Sequence, residues 1–132
     1  MKLLILVPGL LISMATASAH EGHDKTPGAM SAPHGGMVKS AGHVSLEIVP
    51  SKTGFKLYPL DHDKKPIALA DIKVEAVAKF PRKKKVEPVV LRGDADFFEG
   101  TVASSGAYRY TVEIKATHGG KTEKFSFNVE PM

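Results

Sequence analysis

The sequence predicts an all-β protein, an immunoglobulin-like sandwich of about seven antiparallel strands behind a flexible N-terminal tail. Three observations predict it. From His43 onward, apolar side chains recur at every second position, which lines one face of a strand and would scatter around a helix. The alternating runs are separated by clusters of Gly, Pro, Ser and Asp, the residues of turns. No segment carries a convincing helical period. A small closed barrel is the alternative architecture for the same pattern.

The strands follow in order. Val44, Leu46 and Ile48 make a first inward row, with Ser45 and Glu47 facing out, and Pro50 to Gly54 reads as the turn after it. Phe55 and Leu57 continue as a second strand. Pro59 ends it, because proline cannot donate to a ladder and belongs at an edge or a strand end. Ile72, Val74, Ala76, Ala78 and Phe80 alternate with Asp71, Lys73, Glu75 and Lys79 in the longest run. Residues 86–91, 96–101, 107–117 and 121–129 supply four more strands. Gly119-Gly120 between the last two predicts a tight hairpin, since glycine takes positive φ without steric cost. Arg82-Lys83-Lys84-Lys85, between Pro81 and Pro88, reads as a solvated hairpin tip, because a run of like charges repels itself and stays in water.

Ahead of the alternation, Lys2, the apolar run from Leu3 to Ile12 and Ala17-Ser18-Ala19 have the layout of a cleaved export signal. The run of about ten residues is half the ~20 that a membrane-spanning helix needs, so residues 1–19 are expected to be removed and no stable membrane insertion is expected. The chain has no cysteine, which excludes both disulfide staples and lipidation at a cleavage-site Cys. The expected organisation is a signal peptide at 1–19, a flexible His/Met-rich segment at 20–42 and a β-sandwich domain at 43–132. The expected location is the periplasm, where a nucleic-acid partner is not expected. The formal charge of +4 falls to +3 with loss of Lys2.

Residues 20–42 are mostly Gly, Ala, Ser, Pro, His and Met, with a single β-branched aliphatic side chain, Val38. Such a segment cannot bury enough apolar surface to offset the entropy of ordering it. It is rich in metal donors instead. Four of the six histidines, His20, His23, His34 and His43, fall within residues 20–43, together with Met30 and Met37. Imidazole suits copper, nickel and zinc, whereas thioether sulfur is soft and favours Cu(I), so the mixed set favours copper as Cu(I) or Cu(II), with zinc or nickel as alternatives. His20 at the processed terminus could chelate through ring and α-amine together, with His23 near enough to join. Met30 and Met37 flank His34 within eight residues, and Asp61-His62-Asp63 sets carboxylates beside an imidazole on a turn, as ligands or as groups that orient the ring. The expected metal residues are thus His20, His23, Met30, His34, Met37, His43 and His62. His62 and His118 could equally be plain polar turn residues, and the tract as a whole could be an adventitious chelator.

Pro33-His34-Gly35-Gly36, Leu46-Glu47-Ile48, Leu57-Tyr58-Pro59-Leu60-Asp61 and Lys65-Pro66-Ile67 together resemble a small domain associated with bacterial heavy-metal efflux. That segment is fused to RND-type periplasmic adaptor subunits of copper, zinc, cobalt and nickel exporters and is also found as small secreted proteins. The resemblance covers about a quarter of the chain. It implies metal binding near an efflux component, with His34 the residue most directly carried over. A chain of this length is expected to lack the helical hairpin and lipoyl-like domain of a full adaptor, and so to act as a separate carrier or sensor. The fold class and His20 also resemble periplasmic copper-resistance β-sandwich carriers, without the late Asp-x-His pair of those proteins.

The function these readings predict is a periplasmic metal carrier or buffer in heavy-metal resistance. No nucleophile and base pair, phosphate-cradling loop or patterned carboxylate pair marks an enzyme. Copper-dependent oxidative chemistry and a metal-free envelope interaction domain that binds by strand addition are the competing classes.

Overall fold

A computed structural model describes residues 32–103 and 108–132. Among them, nine strands follow in chain order: β1 (Met37–Ala41), β2 (Val44–Ser51), β3 (Gly54–Leu60), β4 (Ile72–Phe80), β5 (Lys85–Val89), β6 (Leu91–Asp94), β7 (Phe97–Thr101), β8 (Tyr110–His118) and β9 (Lys121–Val129). They form a five-stranded sheet, β1-β2-β3-β7-β6, and a four-stranded sheet, β5-β4-β8-β9, with every named strand pair antiparallel. Strands β2, β3, β7 and β6 take the order of the A, B, E and D strands of an immunoglobulin domain. The other sheet follows C′-C-F-G, with β1 added at the outer edge of the first. The expected all-β, immunoglobulin-like sandwich is the architecture found. Among the described residues no helix is long and apolar enough to cross a membrane.

The core lies where the two inward rows meet. Leu46, Ile48, Phe55 and Leu57 from one sheet face Ala78, Val112, Ala116 and Phe127 from the other, all fully buried. At the β8–β9 hairpin, His118 pairs with Lys121 and Gly119 and Gly120 both have positive φ, 64° and 80°. This is the two-residue turn whose twist matches the flanking strands. At the β4–β5 hairpin the basic run forms a single 3-10 turn, Pro81–Lys83, closed by Lys84 in the left-handed region.

Three expectations are corrected. The sheet begins at Met37, not at His43: β1 lies inside the segment expected to be flexible and pairs with β2 from Met37↔Ile48 to Ala41↔Val44. Its backbone hydrogen bonds to the neighbouring strand hold a segment whose own side chains could not. The run at 86–91 is two strands in different sheets. β5 pairs with β4 and β6 with β7, and Val90, 76 % exposed, sits at the crossover. Alternation persists through such a crossover, so periodicity alone does not reveal it. Finally, Ser45 and Glu47 do point away from the core but are buried; a second layer of chain covers Glu47, and the Ser45 hydroxyl meets that of Ser40 at 2.7 Å.

Pro59 lies one residue from the end of β3, as expected of a residue that cannot donate to a ladder. β3 is interior to its sheet, but its ladder with β7 stops at Leu57↔Phe98, so Pro59 lies beyond the last position where that neighbour needs a donor.

Candidate functional site

The covering layer is the turn that carries His34. The Gly35 N–H donates to the Ala32 carbonyl at 3.1 Å, and Gly35 turns the chain with φ 78°. Gly36 then lies flat against β2: a Cβ there would stand 2.2 Å from the Ile48 carbonyl oxygen, so only glycine permits the approach. This brings two backbone donors onto one carboxylate. The His34 and Gly36 N–H groups both donate to Glu47 Oε2 at 2.8 Å, and His34 Nδ1 is 2.8 Å from Oε1. Glu47 is fully buried; the His34 side chain is about one-third exposed.

The carboxylate accepts at Oε1, so Nδ1 must carry the proton and Nε2 of the neutral ring is left with its lone pair. The ring is fixed from its face as well, stacked on Tyr58 at 3.6 Å and 9°. Tyr58 in turn leans on Phe97 at 5.3 Å, whose ring lies under the Lys56 ammonium. Burial, followed by the charges of Asp96 and Glu47, raises the Tyr58 phenol above its ordinary range, so it stays neutral. A ring held by a carboxylate at one nitrogen and presenting the other is the arrangement that orients and strengthens imidazole ligands.

His34, Gly36, Glu47 and Tyr58 come from the short motifs on which the efflux resemblance rests, and in the fold they make one contact network. Met37 is not part of it. Expected beside His34 as a co-ligand, Met37 instead pairs opposite the inward Ile48, which sets it on the core side of the sheet's edge, 39 % exposed, while the turn that carries His34 lies on the outer face against Glu47.

A second pair of imidazoles forms at one end of the sandwich. His43 is the second residue of the Gly42-His43 turn between β1 and β2, and His118 ends β8; His43 Nε2 and His118 Nδ1 are 3.0 Å apart, with the rings tilted at 43°. Local sequence marks His118 only as a polar turn residue, and nothing near it in the chain links it to a partner 75 positions away.

His62 stands elsewhere, three-quarters exposed, with Nε2 3.5 Å from Asp63 Oδ2. Asp61, on its other side in the sequence, is occupied: Oδ1 accepts the Asp63 and Lys65 backbone N–H groups at 2.8 and 2.9 Å. The Lys65 N–H is the main cause that holds the Asp61 carboxyl below its usual range, against an opposing desolvation effect and with help from the Asp63 N–H and nearby charge. A carboxyl depressed by folding stabilises above its unfolded value, ~3.9, and stops doing so as pH falls through the lower folded value. An Asp61→Ala chain should therefore melt below the parent at pH 7, with the gap closing as both are acidified below about pH 4; thermal unfolding across pH checks this.

His20, His23 and Met30 lie outside the described residues. Among the described residues, no group of three or more His, Cys, Asp or Glu side chains is placed to hold a metal ion. Comparison with known proteins adds no relative: no family model matches the chain, nor does any curated protein or solved structure.

Proposed function

We propose that the protein is an exported transition-metal carrier or buffer of the bacterial periplasm, with copper the best-fitting ion, serving heavy-metal resistance beside an efflux component. The observation that carries this reading is His34, held at Nδ1 by the buried Glu47 with Nε2 left as the donor, immediately downstream of the sequence cluster His20, His23 and Met30. One pre-oriented imidazole plus further nitrogen and sulfur donors is a sound set for Cu(I) or Cu(II). Donors contributed by different stretches of chain also exchange readily, which suits transfer between proteins. His62 and Met37 have no part in this site.

Glu47→Gln tests the reading. The glutamine oxygen can still accept the two backbone N–H groups, but its amide would donate to His34 Nδ1 and drive the proton to Nε2, removing the donor lone pair. Copper affinity of the chain starting at His20, measured by competition under reducing and oxidising conditions, should fall by ~10- to 100-fold. His34→Ala should do at least as much. Affinity in the parent should also weaken in acid, where protons compete with the ion for imidazole. Unchanged affinity in both variants, or a parent that binds copper no better than at millimolar concentration, sinks the proposal.

A further inference from the structure

The geometry points to a separate divalent-metal site made by His43 and His118, taking a Cu(II)- or Ni(II)-type ion through two cis imidazoles. This site stands apart from the His34 donors and does not depend on them. The two residues come from opposite sheets: His43 leaves the β1–β2 turn and His118 enters the β8–β9 turn. Each turn has a glycine at positive φ beside the histidine, Gly42 at 63° and Gly119 at 64°, so the backbone bends sharply enough to set the rings against each other. No side chain intervenes; even a Cβ added at Gly119 would stay 3.8 Å from His43 Nε2.

The separation decides between ions. Two nitrogens bound at ~2.0–2.1 Å lie about 2.9 Å apart when cis on a square-planar ion, roughly 3.3 Å apart on a tetrahedral one and about 4 Å apart across a linear one. The observed 3.0 Å fits the cis pair, is a small opening short of the tetrahedral pair, and is about an ångström too short for linear Cu(I). Without an ion, the short contact is one hydrogen bond, with one ring donating and the other accepting. To bind a metal, both facing nitrogens need lone pairs. The donating ring has only to move its proton to its far nitrogen, so two neutral rings take up the ion with no net loss of protons.

Glu123 Oε2 lies against Gly42, where a Cβ would come within 2.4 Å of it. It is a neighbour and not a third ligand, in keeping with the lack of any three-group cluster among the described residues. The remaining coordination positions fall to water or to a donor from another molecule, as in an ion that is handed on. Because the ligands are 75 residues apart, the ion would tie the two sheets together, and binding should be visible as stabilisation.

The test is Ni(II) added to the chain starting at His20, followed by thermal unfolding. At free Ni(II) of ~100 times the dissociation constant, Tm of the parent should rise by about 10 °C or more. The rise should be lost in His43→Asn and in His118→Asn, and retained in His20→Ala/His23→Ala and in Glu47→Gln. Equal rises in the parent and in His118→Asn overturn the site, as does a rise abolished by the His20/His23 changes alone. Should an Asn variant fold poorly, Cu(II) and NMR of His20→Ala/His23→Ala/His34→Ala decide the same question: broadening of the His43 and His118 ring signals is expected, and broadening that spares both overturns the assignment. A Ni(II) shift that depends on His43 and His118 in a chain whose Cu(I) affinity is unchanged by Glu47→Gln would overturn the His34 reading alone and leave this site standing.

Discussion

Glu47→Ala should lower stability by about 3 kcal/mol, or roughly 15 °C in Tm. Three bonds converge on this side chain, from the His34 and Gly36 N–H groups and from His34 Nδ1, and Glu47 is fully buried. Truncation removes every acceptor at once, so the donors must either stay unpaired under the turn or let the turn lift away to reach water. The second outcome would limit the loss but release the 32–36 segment and undo the orientation of His34. Chemical denaturation measures the first effect, and hydrogen exchange at Gly36 reads the second. A loss below ~0.5 kcal/mol with exchange at Gly36 unchanged would show that the carboxylate does not hold the turn in place. Glu47→Gln, which keeps an acceptor for both backbone donors, should lose much less stability. The pair of variants thus separates the role of Glu47 in the fold from its role in orienting the imidazole.

Phe55→Ala should cost about 4 kcal/mol, or roughly 20 °C in Tm, through a cavity that its surroundings cannot close. Phe55 is fully buried and pairs across the ladder with Gly100 on β7. The ring occupies the space a side chain at 100 would need: a Cβ on Gly100 would stand 2.7 Å from Phe55 Cζ and 2.9 Å from Val89 Cγ1. The glycine and the aromatic residue are two halves of one packing solution, and neighbouring backbone cannot collapse into the gap without breaking the β3–β7 pairing. Gly100→Ala, which overfills the same place, should be destabilising by about 1–3 kcal/mol. Because the two changes act on one volume, Phe55→Ala/Gly100→Ala should be less harmful than the sum. Urea unfolding with an unchanged m-value for each variant is the measurement; additive losses would show that the two residues do not share the space.

Much of the frame is legible from local pattern. The inward rows of β2, β4, β8 and β9, the β8–β9 hairpin at Gly119-Gly120 and the basic tip after Phe80 all follow from a period of two and from turn chemistry. Both are properties of residues adjacent in the chain. β1 is not legible in this way, since Met37–Ala41 has no apolar row of its own and becomes a strand only because β2 offers it an open edge. The division of 86–91 between sheets is hidden for the related reason that alternation continues smoothly through the crossover.

The candidate site divides along the same line. By itself, the order of residues determined the cysteine-free, β-rich character of this protein and the gathering of His20, His23, Met30 and His34 towards its N-terminal end, because composition and periodicity need no partner to be read. Tertiary structure decided that an outward glutamate on β2 is buried beneath the His34 turn, that Met37 lies on the other face from His34, and that His43 meets His118 while His62 stays in solvent. Those outcomes depend on which strands pair and which turns stack, and the free energy that chooses between pairings comes from contacts between residues far apart in sequence.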